Sequence, residues 1–184
     1  MAYRPTAKTK ARKAEVRQRV LDAAFALVGV GGFGALSMQA VATGAGIATG
    51  AVYLHFPSKA ELCAEVFRIA TEREVAVVRN AAQAAGTPAQ RLEQAVLVFA
   101  ERALRAQRMA YALIAEPVDP VVDVERLRYR QAYALVFEQL VREGVDNGSF
   151  ADQDATVSAA ALVGVIAEAL IGPLSTQAPA GAGP

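Results

Sequence analysis

The stretch AVATGAGIATGAVYLHFPSK, residues 40–59, decides the fold. Its small and apolar residues set out two short helices around a glycine turn, the pattern of a helix-turn-helix whose second helix lies in a DNA groove. Just upstream, Ser37 carries a hydroxyl able to cap the first helix, and Met38, Val41 and Ala42 fall at i, i+3 and i+4 on one face. Ala42 is small enough to let the second helix approach. Gly44 and Gly46 flank Ala45, and either can take the positive φ of a short turn. Ile47 and Val52 fill the angle between the helices. The spacing predicts a second helix over 48–54 that turns Thr49, Gly50 and Tyr53 outward. On that face Thr49 reads base edges, Gly50 lets the backbone approach DNA, and the Tyr53 hydroxyl donates to a phosphate. Gln39, early in the first helix, reaches a phosphate or a base.

Tyr53-Leu54-His55-Phe56-Pro57-Ser58-Lys59 follows directly. Here the chain resembles the TetR (tetracycline-repressor-type) family of bacterial transcription regulators. In that family a glycine, two residues and a tyrosine, then an aromatic pair and Ser-Lys, close the DNA-binding domain. The matching positions are Gly50, Tyr53, His55, Phe56, Ser58 and Lys59. The resemblance covers residues 14–80 by motif, and the rest by length and helical character. It implies an all-α fold, with an N-terminal three-helix head containing the helix-turn-helix and a C-terminal helical domain for ligand binding and dimerisation. The partners it implies are a double-stranded DNA operator, a small-molecule effector and a second copy of the chain. Ala48 departs from the family, which commonly has a capping serine or threonine there; that loses a cap worth ~1 kcal/mol. The Pro-, Gly- and Ala-rich end is a second departure, since one more helix usually completes the subunit interface.

The chain is alanine-rich, lacks tryptophan and is poor in strand signals, so an all-helical protein follows. Its charge is nearly balanced overall but unevenly spread. Arg4, Lys8, Lys10, Arg12, Lys13, Arg17 and Arg19 crowd the first twenty residues against Glu15 alone, and the remainder carries an excess of acids. A basic arm on a mildly acidic body suits a DNA-binding head, because Lys and Arg release counterions from phosphates; Lys10 and Lys13 are assigned that role. A solvated leader is the plain alternative. The single cysteine, Cys63, rules out an intramolecular disulfide and fits a reducing cytoplasm. No secretory signal is expected from a charged N-terminus with no apolar run before Val20. The most membrane-like stretch, 155–174, contains Glu168 and closes on Gly172-Pro173, and it reads as a packing helix rather than a span.

Further helices are predicted over 14–30, ended by Gly29, Gly31 and Gly32, and from a Ser58/Glu61 capping box to about residue 85. Lys59 stands in the first turn of the latter, a misfit with the helix dipole that an opposing phosphate would relieve. Gly86-Thr87-Pro88 starts a fifth helix, residues 109–115 form a sixth, and Asp119-Pro120 starts a seventh that reaches about residue 143. Asp152 or Asp154 caps an eighth over 155–171, where Ala160, Ala161 and Gly164 permit close approach and Leu162, Val163, Ile166 and Leu170 supply apolar area to an interface. The expected domains are 1–57, the basic arm and DNA-binding head; 58–171, the effector-binding and dimerisation domain; and 172–184, a disordered tail.

Catalysis is not expected. One histidine and one cysteine eight residues apart, with no paired carboxylates beside them and no phosphate-binding glycine loop, assemble neither a catalytic site nor a metal site, and no cofactor is implied. His55 reads as a phosphate contact or a packed aromatic, and Cys63, near a helix start, as a redox sensor or an inert buried thiol. The resemblance implies a ligand cavity lined by Phe67, Phe99, Met109, Tyr111, Tyr129, Tyr133 and Phe137, which could equally be plain core. Arg102, Arg105, Arg126 and Arg130 either orient an anionic effector or solvate helix faces. The function expected is a ligand-responsive regulator, a repressor released from a palindromic operator by a small molecule. An activating or effector-independent regulator, and a helical small-molecule-binding or scaffold protein with a degenerate head, are the other readings.

Overall fold

The computed structural model describes residues 6–175, and among these it shows eight α-helices, one 3-10 turn and no strand. Thr6 opens α1 (Ala7–Gly31) by accepting from the Thr9 amide at 3.3 Å, so the basic arm is itself helical, well ahead of the predicted start at residue 14. Val20, Leu21, Ala24 and Val28 form its buried stripe. Gly29 and Gly31 stay helical, and the stop is Gly32 at φ +72°. A 3-10 turn, Phe33–Ala35, leads to α2 (Met38–Ala45), capped by Ser37 through the Ala40 amide at 3.1 Å. Gly46, at φ +63°, makes the turn into α3 (Thr49–Tyr53), while Gly44 remains in the helix. Ala48 stands at the N-cap of α3 with no side-chain bond, as its methyl group dictates.

Ser58 starts α4 (Lys59–Ala82) by accepting from the Glu61 amide at 3.1 Å. Thr87 and Gln90 form a reciprocal capping box at α5 (Pro88–Arg105), with Pro88 in the first turn. After α6 (Gln107–Ile114), Asp119 accepts from the Val121 amide at 3.0 Å and Pro120 begins α7 (Pro120–Asp146). Between the two candidate caps for α8 (Ala155–Ser175), Asp154 is the one used, accepting from the amides of Thr156 and Val157.

Two buried clusters hold the molecule together. One joins α1, α2 and α3 to the first half of α4, through Leu62, Cys63, Val66 and Phe67, and takes in Ala112 of α6 and Val122 of α7. The other lies among α4, α5, α7 and α8, around Val78, Phe137, Leu140 and Leu170. Packing therefore carries the head core past residue 57 into α4.

Two expectations for the end of the chain need correction. The helix continues through Gly172 and Pro173 to Ser175, because Leu174, 2% exposed, is anchored in the core; residues 176–184 of the expected tail lie outside the described residues. Leu162, Val163, Ile166 and Leu170 face inward, so the outward apolar face of α8 is instead Val157, Ala160, Ala161, Gly164 and Val165. By length and composition α8 would suffice to cross a membrane, with a mean hydropathy of 2.0. Its inner residues form part of the second core, and 22% of the apolar stretch is buried.

Candidate DNA interface and effector cavity

The outer side of the helix-turn-helix carries the residues expected to meet DNA. Lys10 and Lys13 project from α1, Ser37 and Gln39 from the start of α2, and Lys59 from the first turn of α4, all exposed. Thr49 is half-buried, and Tyr53 is 49% exposed, so the core does not claim its ring. Nothing lies within 4 Å of where a side chain at Gly50 would begin, so its absence leaves open surface rather than satisfying a packing need. Leu54, 77% exposed, sits beside Tyr53 and was not singled out in the sequence, where a leucine after a helix reads as core.

His55 is placed differently. It is half-buried in a groove with Arg17, Phe56, Glu65 and Val121, and its Nδ1 has no hydrogen-bond partner among the described residues. Burial, followed by the charges of Lys13 and Arg17, lowers its pKa, so the ring is neutral near pH 7.

Not every cation of the arm is free. Arg19 donates to the carbonyls of Ala45 and Gly46 and so braces the turn between α2 and α3. Arg17 pairs with Glu65 of α4 at 2.5 Å and lies over the Phe56 ring. Glu65 also binds Arg68, and these hydrogen bonds, the one from Arg68 foremost, hold its pKa down at about 2. Lys8, Lys10, Arg12 and Lys13 remain as the exposed cations of the described arm; Arg4 lies outside the described residues. Cys63 is buried, and burial pushes its thiol up to about 11, the chemistry of an inert packing residue.

In the helical domain a cavity of about 260 Å³ opens among α4, α5, α6, α7 and α8. Six of the seven residues expected there line it: Phe67, Phe99, Met109, Tyr129, Tyr133 and Phe137. Tyr111 does not. Its place on α6 turns it away, under the guanidinium of Arg108. Of the four arginines, Arg102, Arg126 and Arg130 border the cavity, and exposed Arg105 pairs only with Glu101. Arg102 is held bidentately by Glu74, at 2.5 and 2.8 Å. Arg126 donates to the carbonyls of Leu113 and Glu116, which ties the end of α6 to α7.

A junction that sequence reasoning missed links this region to the head. Glu116, 8% exposed, accepts from the amides of Phe33 and Gly34 at 3.2 and 2.9 Å, and Arg108 bridges it to the carbonyl of Gly31. Any side chain at Gly32 would collide with both, so glycine there is a requirement of close approach as well as of φ. Only the glycine run 29–34 hinted at bare amides, and nothing in the sequence paired it with Glu116.

The chain thus joins a helix-turn-helix head to a helical bundle with a cavity among its helices. Residues 20–66 match the family described as bacterial regulatory proteins, tetR family, and residues 85–169 match the tetracyclin repressor-like C-terminal domain. The chain belongs to the TetR family. It is 45% identical over 78 residues to the transcriptional repressor KstR of Mycolicibacterium smegmatis, a match that takes in 42% of this chain and 38% of that repressor. In fold it is similar to the fatty acid degradation regulator FadR of Bacillus halodurans, with a TM-score of 0.77 at 18% identity over 97% of this chain and 90% of that one. FadR of Bacillus subtilis, solved in complex with stearoyl-CoA, aligns with a TM-score of 0.76 at 16% identity, covering 88% of this chain and 89% of that one.

Proposed function

We propose that this chain is a ligand-responsive transcriptional regulator, a homodimeric repressor that leaves a roughly palindromic operator when a small molecule enters the cavity. The observation that carries the reading is the helix-turn-helix with Thr49, Gly50 and Tyr53 turned outward, flanked by Lys10, Lys13, Gln39 and Lys59. The division of labour is a head of 1–57, seated on α4, and a bundle that binds effector and partner copy through the outer face of α8. A two-fold dimer presents its recognition helices about 34–36 Å apart, one turn of DNA or a multiple of it. The protein would act in the cytoplasm, where its DNA is.

The cavity and the head share α4 and α6. An effector that favours a different setting of α6 shifts Glu116, and with it the turn that follows α1, and so alters the reach between the two heads. Release follows if that setting binds DNA less well. A mostly apolar lining suits an effector with an apolar body, in keeping with the stearoyl-CoA seen on Bacillus subtilis FadR.

Fluorescence anisotropy on DNA from upstream of the coding region, against a scrambled duplex and across salt, tests the reading. Selective binding that weakens steeply with salt, and is lost in the Tyr53→Phe, Lys59→Ala double variant, is expected. Equal affinity for both duplexes would refute the assignment for that site.

A further inference from the structure

Within the cavity, the Tyr133 hydroxyl stands without a partner among the described residues. Tyr133 of α7 is nine-tenths buried and lines the cavity, and its hydroxyl makes no hydrogen bond to any described residue. The ring is fixed edge-on against Phe99, with centroids 5.0 Å apart. Tyr129, one helical turn earlier and also in the lining, is the contrast: its hydroxyl is spent on the carbonyl of Arg68 at 2.8 Å. A hydroxyl that lines a cavity without a protein partner is free to donate, and a ligand that supplies an acceptor there gains a hydrogen bond.

We propose that the cavity recognises a lipophilic ligand by an uncharged carbonyl oxygen, which accepts a hydrogen bond from the Tyr133 hydroxyl. This rests on the reading of the cavity as the effector site. Three features fix the class. Burial, reinforced by Glu74, raises the Tyr133 pKa, so the group remains a donor at physiological pH. Beside the hydroxyl, Arg102 and Glu74 neutralise each other through two parallel hydrogen bonds; of the other lining cations, Arg73 and Arg130 are exposed to solvent and Arg126 is engaged by backbone carbonyls, which disfavours a carboxylate at this point. An alcohol would bring a donor of its own, and the Glu74 oxygens are already engaged by Arg102; a ketone, ester or thioester carbonyl needs only the one donor. Around it Phe67, Leu113, Ile114, Val163 and Ile166 offer apolar surface for the rest of the ligand.

The test is a titration of the full chain with prodan, a naphthalene dye whose ketone reports hydrogen bonding by a red shift of its emission. Tyr133→Phe keeps the ring and removes the donor. Wild type should bind saturably with emission to the red of that in the variant, which should bind about 3- to 10-fold more weakly. The ketone-free 2-(dimethylamino)naphthalene should not distinguish the two proteins. Equal affinity and equal emission of prodan on both would overturn the role of Tyr133, as would tighter binding of the matching naphthoate to wild type. Failure of wild type to bind either dye, in protein that still binds its operator, would overturn the cavity as a ligand site while leaving the DNA-binding reading intact.

Discussion

Glu116 is a carboxylate in a place where carboxylates are rare, and it is kept there by three donors from two parts of the chain. Removing it strands the amides of Phe33 and Gly34 and leaves Arg108 with its Gly31 contact alone. Breaking such a buried pair from one side costs about 3–5 kcal/mol. Glu116→Ala should therefore lower the thermal midpoint by many degrees in calorimetry, and it should blunt the response of operator binding to effector in whatever protein remains folded. A variant as stable as wild type would show the junction to be ornamental. Nothing in the sequence announced this residue, because burial of an acid depends on donors 83 positions away. The exposure of Gly50 and Tyr53 was legible for the opposite reason, since it follows from the three- and four-residue spacing of neighbours that had to be buried; Thr49, expected to face outward with them, is half-buried.

Among the elements, the contact of α1 with α4 is joined by an ion pair. Glu65 receives Arg17 from one side and Arg68 from the other, and its pKa lies below the ordinary carboxylate value of 4.5, at about 2. A depressed pKa stabilises the folded state above 4.5, and that contribution is lost as pH falls toward 2. Melting curves of wild type and Glu65→Gln should differ near neutrality and converge over that window. A gap that stays constant through acid would mean packing, not charge, joins the two helices. Helix starts marked by a capping side chain were read well from sequence, with Ser37, Ser58, Thr87 and Asp119 all capping as predicted, whereas α1 begins at Ala7 rather than at residue 14. Ends were read less well. Gly29 and Gly172 look like stops, yet each sits inside a helix, because buried neighbours such as Val28 and Leu174 hold the next turn in place. The inward side of α8 was likewise misassigned: its apolar residues run around much of the helix, so periodicity alone could not tell core from partner.

For the whole molecule the open question of area is the outer face of α8, where Val157 and Val165 are 65% and 66% exposed beside Ala160, Ala161 and Gly164. In the dimer proposed above, Val165→Asp would bring two carboxylates into the two-fold interface and should weaken pairing at least about 100-fold, with loss of tight operator binding. Sedimentation equilibrium checks it, and a variant that remains dimeric would move the interface elsewhere. The Glu116 junction has a further consequence, in the order of synthesis. Phe33 and Gly34 leave the ribosome long before Glu116 exists, as do the head residues that later meet Ala112 and Val122. The three helices of the head are thus made before the parts of α6 and α7 that complete their core, so a nascent chain packs them fully only once the bundle behind them has begun to fold.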